Sequence, residues 1–271
     1  MKRLIWLGCV LAVAATSRHA SAQIIQVTIE NLQPADGFTF SPVWLGFHDG
    51  GFDLFDAGVA VNGDIEAVAE LGNSGPLSTT FNATPNGDAT SRYDTLATAP
   101  GGFPGAPVFE PGESVSFALN VPNAGSNRFL SLGAMVVPSN DFFVGNANPT
   151  AWQVFNPDGS FAGPLTFDIN AEGVWDAGTE VNSTTDGAAF IVGSDATMGT
   201  TENGVATAFP GFDSSLFVGV NTPPGPVIGS GLSAGEGVVR ITISAVPEPS
   251  SLALAAGAVV ALAAARRRMR A

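Results

Sequence analysis

The sequence predicts an all-β domain, an antiparallel β-sandwich with long loops and one short helix. Three observations carry this. Apolar and polar residues alternate with period two in several short segments, the pattern of a strand with one buried face. The chain has 33 glycines and 19 prolines in 271 residues, a proportion suited to frequent turns. Hydrophobic residues make up 45% of the chain, enough to fill a core between two sheets.

The elements follow in order. Ile25, Val27 and Ile29 alternate with Gln26, Thr28 and Glu30, predicting a first strand. Val115, Phe117, Leu119 and Val121 repeat the pattern, as do Val239, Ile241 and Ile243. Phe129 to Val137, Ala188 to Val192 and Leu216 to Val220 are apolar runs bounded by Gly, Pro and Asn, and they read as further strands. Only Asp64 to Leu71 has a helical pattern. Asp64 can cap it, Ile65, Val68 and Ala69 form an apolar face, and Gly72 sits where a terminating glycine belongs. The Gly-, Pro-, Thr- and Asn-rich stretch from 72 to 112 reads mainly as a long surface loop.

Both ends differ from this middle. Residues 1–22 have the form of a signal peptide: Lys2 and Arg3, an apolar stretch from Leu4 to Ala15, and Ala20-Ser21-Ala22 before Gln23. Residues 246–271 carry Val246-Pro247-Glu248-Pro249, an apolar run from Leu252 to Ala265, then Arg266-Arg267-Arg268. A hydrophobic helix followed by arginines is a stop-transfer pattern, with the arginines cytoplasmic. The order resembles the PEP-CTERM sorting signal of Gram-negative bacteria. That resemblance implies export, contact with the membrane through this helix before processing, and recognition by an exosortase-type enzyme. The expected division is 1–22, 23–245 and 246–271.

Charge and composition remove several functions. The whole chain carries −14, yet between 23 and 245 three arginines (Arg92, Arg128 and Arg240) face 23 acids, leaving about −20. Nucleic-acid binding needs basic groups to displace counterions, so it is not expected. Cys9 and His19 fall in the leader, which leaves one histidine, His48, and no thiol. A multi-histidine zinc centre is therefore excluded in a single chain, and a serine triad would rest on His48 alone.

Three segments of the middle region resemble the spondin N-terminal domain family. The first is Pro42-Val43-Trp44-Leu45-Gly46-Phe47-His48-Asp49-Gly50, continuing through Phe52 and Asp53 and closing with Val68-Ala69-Glu70-Leu71-Gly72. The second is Val137-Pro138-Ser139-Asn140-Asp141-Phe142-Phe143-Val144-Gly145, and the third Trp175-Asp176-Ala177-Gly178-Thr179-Glu180. The order matches the family over roughly residues 24–244. The resemblance implies a β-sandwich with a calcium ion held by Asp141, Asp176 and Glu180. The family usually has aspartate at the last position, so Glu180 changes the reach of that ligand. Calcium chemistry is compatible, since the ion takes six to eight hard oxygens from carboxylates and carbonyls on flexible loops.

Other groups have plainer readings. Asp49, Asp53 and Asp56 have a spacing that suits a second cation, but are expected to cap turns while Phe52 and Phe55 pack inward. His48 is a ligand or base candidate, expected instead to be a hydrogen-bonded structural residue. Trp44 and Trp175 read as core aromatics. Asn82-Ala83-Thr84 and Asn182-Ser183-Thr184 fit the glycosylation pattern, but the resemblance to a bacterial sorting signal implies that they are not used.

The functional expectation is an exported, non-enzymatic, calcium-binding surface or extracellular-matrix protein. Its expected partners are the exosortase-type enzyme and either exopolysaccharide or another surface protein. The alternative is a secreted polysaccharide hydrolase with paired carboxylates.

Overall fold

The computed structural model describes residues 22–101 and 107–246. The expected leader, up to residue 21, and the expected sorting segment from residue 247 onward lie outside the described residues. Among those described are eleven strands and two helices, and the strands form two antiparallel sheets. The all-β sandwich is as expected from the alternation.

The smaller sheet has the order β5-β1-β11-β8, from β1 (Gln23–Asn31), β5 (Ser114–Val121), β8 (Leu165–Asn170) and β11 (Gly237–Ala245). Here the period-two reading holds residue by residue. Ile25, Val27 and Ile29 are fully buried, as are Ile241 and Ile243 across from them. The other face of β1 is partly exposed, which is why its residues are Gln, Thr and Glu.

The larger sheet runs β10-β9-β7-β6-β3-β4, with β2 also paired to β6. Its members are β2 (Thr39–Phe40), β3 (Val43–His48), β4 (Tyr93–Ala97), β6 (Phe129–Val137), β7 (Phe142–Gly145), β9 (Val174–Asp176) and β10 (Thr207–Ala208). Its central strands are apolar without alternation because both faces are covered. Val43, Leu45 and Phe47 enter the core shared with the smaller sheet, together with Leu130, Leu132, Phe142 and Val144. Trp44 and Phe143 point the other way, into a second core under the helices with Ile65, Val68, Leu77 and Phe81.

That second core needs two helices, not one. α1 (Gly63–Leu71) matches the expected helix, but its cap is Asn62, whose side chain accepts from Asp64 and Ile65 N–H at 3.1 Å each. Gly72 ends it at φ +62, and its N–H and that of Asn73 bond back to Val68 and Ala67. α2 (Gly75–Ala83) and β4 correct the reading of 72–112 as loop. Only Leu77 and Phe81 of α2 are buried, one i, i+4 pair that leaves too short an apolar stripe to see in sequence. β4 bonds to β3 alone among the strands and has one buried residue, Ala97, so no alternation marks it. Two other expectations change. Leu216–Val220 is no strand, because Ser214–Phe217 form a 3-10 turn. Ala188–Val192 contributes only an isolated bridge, Ala189 to Ser139.

Register fixes the polarity of the sandwich. Ile25 pairs with Ala245, so both ends of the domain leave at one end of the smaller sheet. Gln23 pairs there with Val121, and Asn127 donates to Pro122 O just before β6 begins at Phe129. At the other end Asn31 donates to the carbonyls of Phe38 and Phe109, while Phe40 pairs with Val136. The turn after Val137 therefore lies one strand length, roughly 25–30 Å, from the chain termini of the domain.

Phe81 ties the helical layer to the sheet, meeting Trp44 and Phe52 edge-on at centroid distances of 5.0 and 4.8 Å. Phe81→Ala should cost about 3–5 kcal/mol in urea unfolding, whereas the exposed Thr79→Ala should fall within about 0.5 kcal/mol of wild type. Equal midpoints for the two variants would contradict this packing.

Candidate functional site

The turn that joins β6 to β7 is short, polar and wholly buried: Ser139, Asn140 and Asp141 each have 0% exposure. Polar groups in such a place must find partners, and these find them in the strand-poor segment after β9. Ser139 donates to Val136 O (2.5 Å) and accepts from Phe142 N–H (3.0 Å), which closes the turn. Asn140 accepts from Ser183 N–H and donates to Asp186 O, both at 2.8 Å. Asp141 O accepts from Ala177 N–H at 3.1 Å. Its Oδ2 accepts from Thr179 N–H (2.7 Å), Thr179 Oγ1 (3.1 Å) and Glu180 N–H (3.1 Å). The turn is thus the peg around which residues 177–189 are wound.

β9 brings the second acid. It pairs with β7 so that Asp176 stands opposite Phe142, the neighbour of Asp141. Asp176 Oδ1 accepts from Gly178 N–H at 2.8 Å, which bends the chain back over the aspartate. Gly178 has φ +68 and lies against Gly204 and Val205, where a Cβ would overlap backbone. Asp176 Oδ2 accepts from Asn182 Nδ2 at 2.6 Å.

Two oxygens of this network have no partner. Asp141 Oδ1 is buried and accepts no hydrogen bond, and Asn182 Oδ1 is in the same condition. Burial, and then the neighbouring charge of Asp176, push the Asp141 pKa up to about 7 against the three donors on Oδ2. Burial likewise raises Asp176, with Asn182 and Gly178 opposing. The surroundings share this acidity. Burial is the first cause of raised values at Glu70, Glu180 and Glu202, with Glu66 and Glu180 adding to Glu70, Glu66 adding to Glu180, and Asp176 adding to Glu202.

The sequence-derived triad is therefore divided. Asp141 and Asp176 are brought together, and the Glu180 backbone binds Asp141. The Glu180 carboxylate turns elsewhere: it fills the space a side chain at Gly199 would need, and its Oε2 faces Asn140 Nδ2 at 3.5 Å. Among the described residues, no three His, Cys, Asp or Glu side chains are disposed to hold one metal ion. A cation here would meet two carboxylates, Asp141 and Asp176, and would have to draw its other oxygens from neutral groups. Asn140, Thr179 and Asn182 were not singled out for this site in the sequence. Their signal was adjacency to the acidic motifs, Asn140 before Asp141 and Thr179 before Glu180. Glu66 and Glu70 are one helical turn apart on α1, which was visible without pointing here.

The other candidates have structural roles. His48 is fully buried, with Nε2 3.0 Å from Ser131 Oγ and Nδ1 accepting from Gly50 N–H. Burial, then the Arg92 charge, lowers its pKa to about 4, with Asp49 opposing. Asp49 accepts from the N–H groups of Gly51 and Gly87, a turn-capping role. Phe55 is buried and Phe52 packs against the second core, as expected of both. A groove of about 450 Å³ lies between α2 and β4. Its one carboxylate, Asp94, accepts from Trp44 Nε1 (2.8 Å) and Asn82 Nδ2 (2.9 Å).

Residues 245–268 match the PEP-CTERM protein-sorting motif family. The match marks an exported protein, recognised by an exosortase-type processing enzyme and anchored or processed at the membrane. No curated protein matches the chain.

The carboxyl arrangement has a pH signature in cation-free buffer. Folded Asp141 keeps its proton up to about pH 7, whereas the unfolded chain loses it near 3.8. Stability from this group is full below the lower value and is lost as pH rises through the higher one. His48 acts oppositely, losing stability as pH falls from 6.5 through about 4. Comparison with Asp141→Asn isolates the first effect: wild type should lose stability relative to the variant between about pH 4 and 7. A constant difference across that range would contradict the buried, proton-holding Asp141.

Proposed function

We propose that this chain is an exported, non-enzymatic surface or extracellular-matrix protein that binds calcium between Asp141 and Asp176, with Glu180 at the border. The single observation that carries the reading is the buried, unpartnered Asp141 Oδ1 within electrostatic reach of Asp176. Two carboxylates removed from water repel each other, and each is costly to bury ionised. A proton relieves that cost in acid; a hard cation relieves it at neutral pH. The likeness of three segments to the spondin N-terminal domain supports the same ion on the same loops.

A cation there would fasten the β6–β7 turn to residues 176–182 and offset part of the domain's negative charge. The turn sits at the opposite end of the sandwich from Ala245, where the chain continues toward the sorting motif. The acidic loops would then face away from the membrane, toward exopolysaccharide or another surface protein. A Gram-negative cell surface is the setting in which such a sorting signal operates. For the hydrolase alternative, two facing carboxylates beside a groove would be needed. The groove beside β4 offers Asp94 alone, already committed to Trp44 and Asn82.

Two experiments test this. Millimolar calcium should raise the melting temperature of the chelator-stripped chain by about 5 °C or more, through preferential binding to the folded state. The same addition should leave Asp141→Ala unmoved; an unmoved wild type would sink the calcium reading. For sorting, Glu248→Ala should leave the chain at full length in the membrane fraction of the producing cell. Processing at the wild-type rate would contradict recognition through Pro247-Glu248-Pro249.

A further inference from the structure

The carbonyl oxygen of Asn182 is the second buried acceptor without a partner in this network, and it belongs to the residue whose amide donates to Asp176. Unpaired buried acceptors are rare, because each carries the full cost of leaving water. Two of them lie around Asp176: Asn182 Oδ1 belongs to the residue that donates to Asp176, and Asp141 Oδ1 to the aspartate within its electrostatic reach. Both are hard oxygens of the kinds calcium accepts, a carboxylate and a side-chain amide carbonyl. Glu180 lacks this character. Its carboxylate is seated over Gly199 and faces Asn140.

We propose that Asn182, and not Glu180, supplies the third protein oxygen to a cation held by Asp141 and Asp176. This rests on the calcium reading above and specifies its ligand set. With the ion completed by Asn182, the Glu180 side chain is free to reach Asn140 and pack against Gly187 and Gly199. Asn182 holds its position through the bond from Nδ2 to Asp176, so the ligand and its orienting contact are one side chain.

The test uses the full-length chain, stripped with chelator and titrated with calcium by calorimetry. Europium luminescence lifetimes in H2O and D2O count the waters on the bound ion. Loss of a protein oxygen in Asn182→Ala should weaken calcium binding by about tenfold or more and add about one water to the europium shell. Asn182→Asp keeps an oxygen but removes the N–H donor; it should restore both the affinity and the wild-type water count. Glu180→Gln should change affinity by less than about threefold and leave the water count as it is.

Each contrary outcome overturns the assignment. If Asn182→Ala binds as wild type while Asp141→Asn does not bind, calcium is held without Asn182 and the broader reading stands. If Asn182→Asp gains the same extra water as Asn182→Ala, Asn182 acts only as a donor to Asp176. If Glu180→Gln gains a water, Glu180 is the ligand. Failure of the wild-type chain to bind calcium removes this assignment and the calcium reading together. Circular dichroism on each variant separates lost binding from lost fold, and Asn182→Asp decides the matter should Asn182→Ala not fold.

Discussion

One buried carboxylate organises the loop end of this sandwich. Asp141 presents one oxygen to three donors of the Thr179-Glu180 segment and leaves the other without any. The first oxygen explains why a long segment with little secondary structure has a defined path. Hydrogen bonds to a charged or partly charged acceptor are stronger than neutral ones, and removing such a group strands its donors. The second oxygen is buried without a donor, and it is the atom the proposed cation would engage.

That arrangement depends on how the larger sheet is buried. β3, β6 and β7 have apolar neighbours on both faces, the smaller sheet on one and the α1–α2 layer on the other. A turn leaving such a strand starts in the interior, so Ser139, Asn140 and Asp141 have no water to fall back on. The same layer positions the acidic border: α1 packs on β6 and β7 and carries Glu66 and Glu70 toward Glu180. The negative charge of the domain is therefore unevenly distributed. Arg240 is drawn to Asp168 on the smaller sheet, and Arg92 lies between Phe52 and Phe81. Neither arginine lends its charge to the Asp141–Asp176 pair.

Much of the fold was legible because alternation reports burial directly. β1, β5 and β11 stand where the alternation at Ile25, Val115 and Val239 placed them, and β6 where the apolar run from Phe129 did. α2 and β4 were not legible: Gly-Pro-Leu-Ser-Thr-Thr-Phe-Asn-Ala is a poor helix by propensity, and it forms because Leu77 and Phe81 are covered by tertiary packing. Leu216–Val220 misled in the opposite sense, being apolar without a neighbouring strand to pair with. At the site, the acids Asp141 and Asp176 could be named from their motifs, and the structure does bring them together. The direction of the Glu180 side chain could not, since it is set by Gly187 and Gly199, remote in the motif and adjacent in space. Asn182 was visible only as part of an Asn-Ser-Thr pattern, because an amide ligand has no spacing rule of its own.

The most direct measurement of the central claim is elemental analysis of the chain as it leaves the cell, purified without chelator and dialysed against millimolar calcium. The expected result is one calcium per wild-type chain and none in Asp141→Asn, with the two proteins alike in circular dichroism. A wild-type chain that emerges folded and free of calcium would contradict it, and the Asp141–Asp176 pair would then be a proton-holding structural element alone.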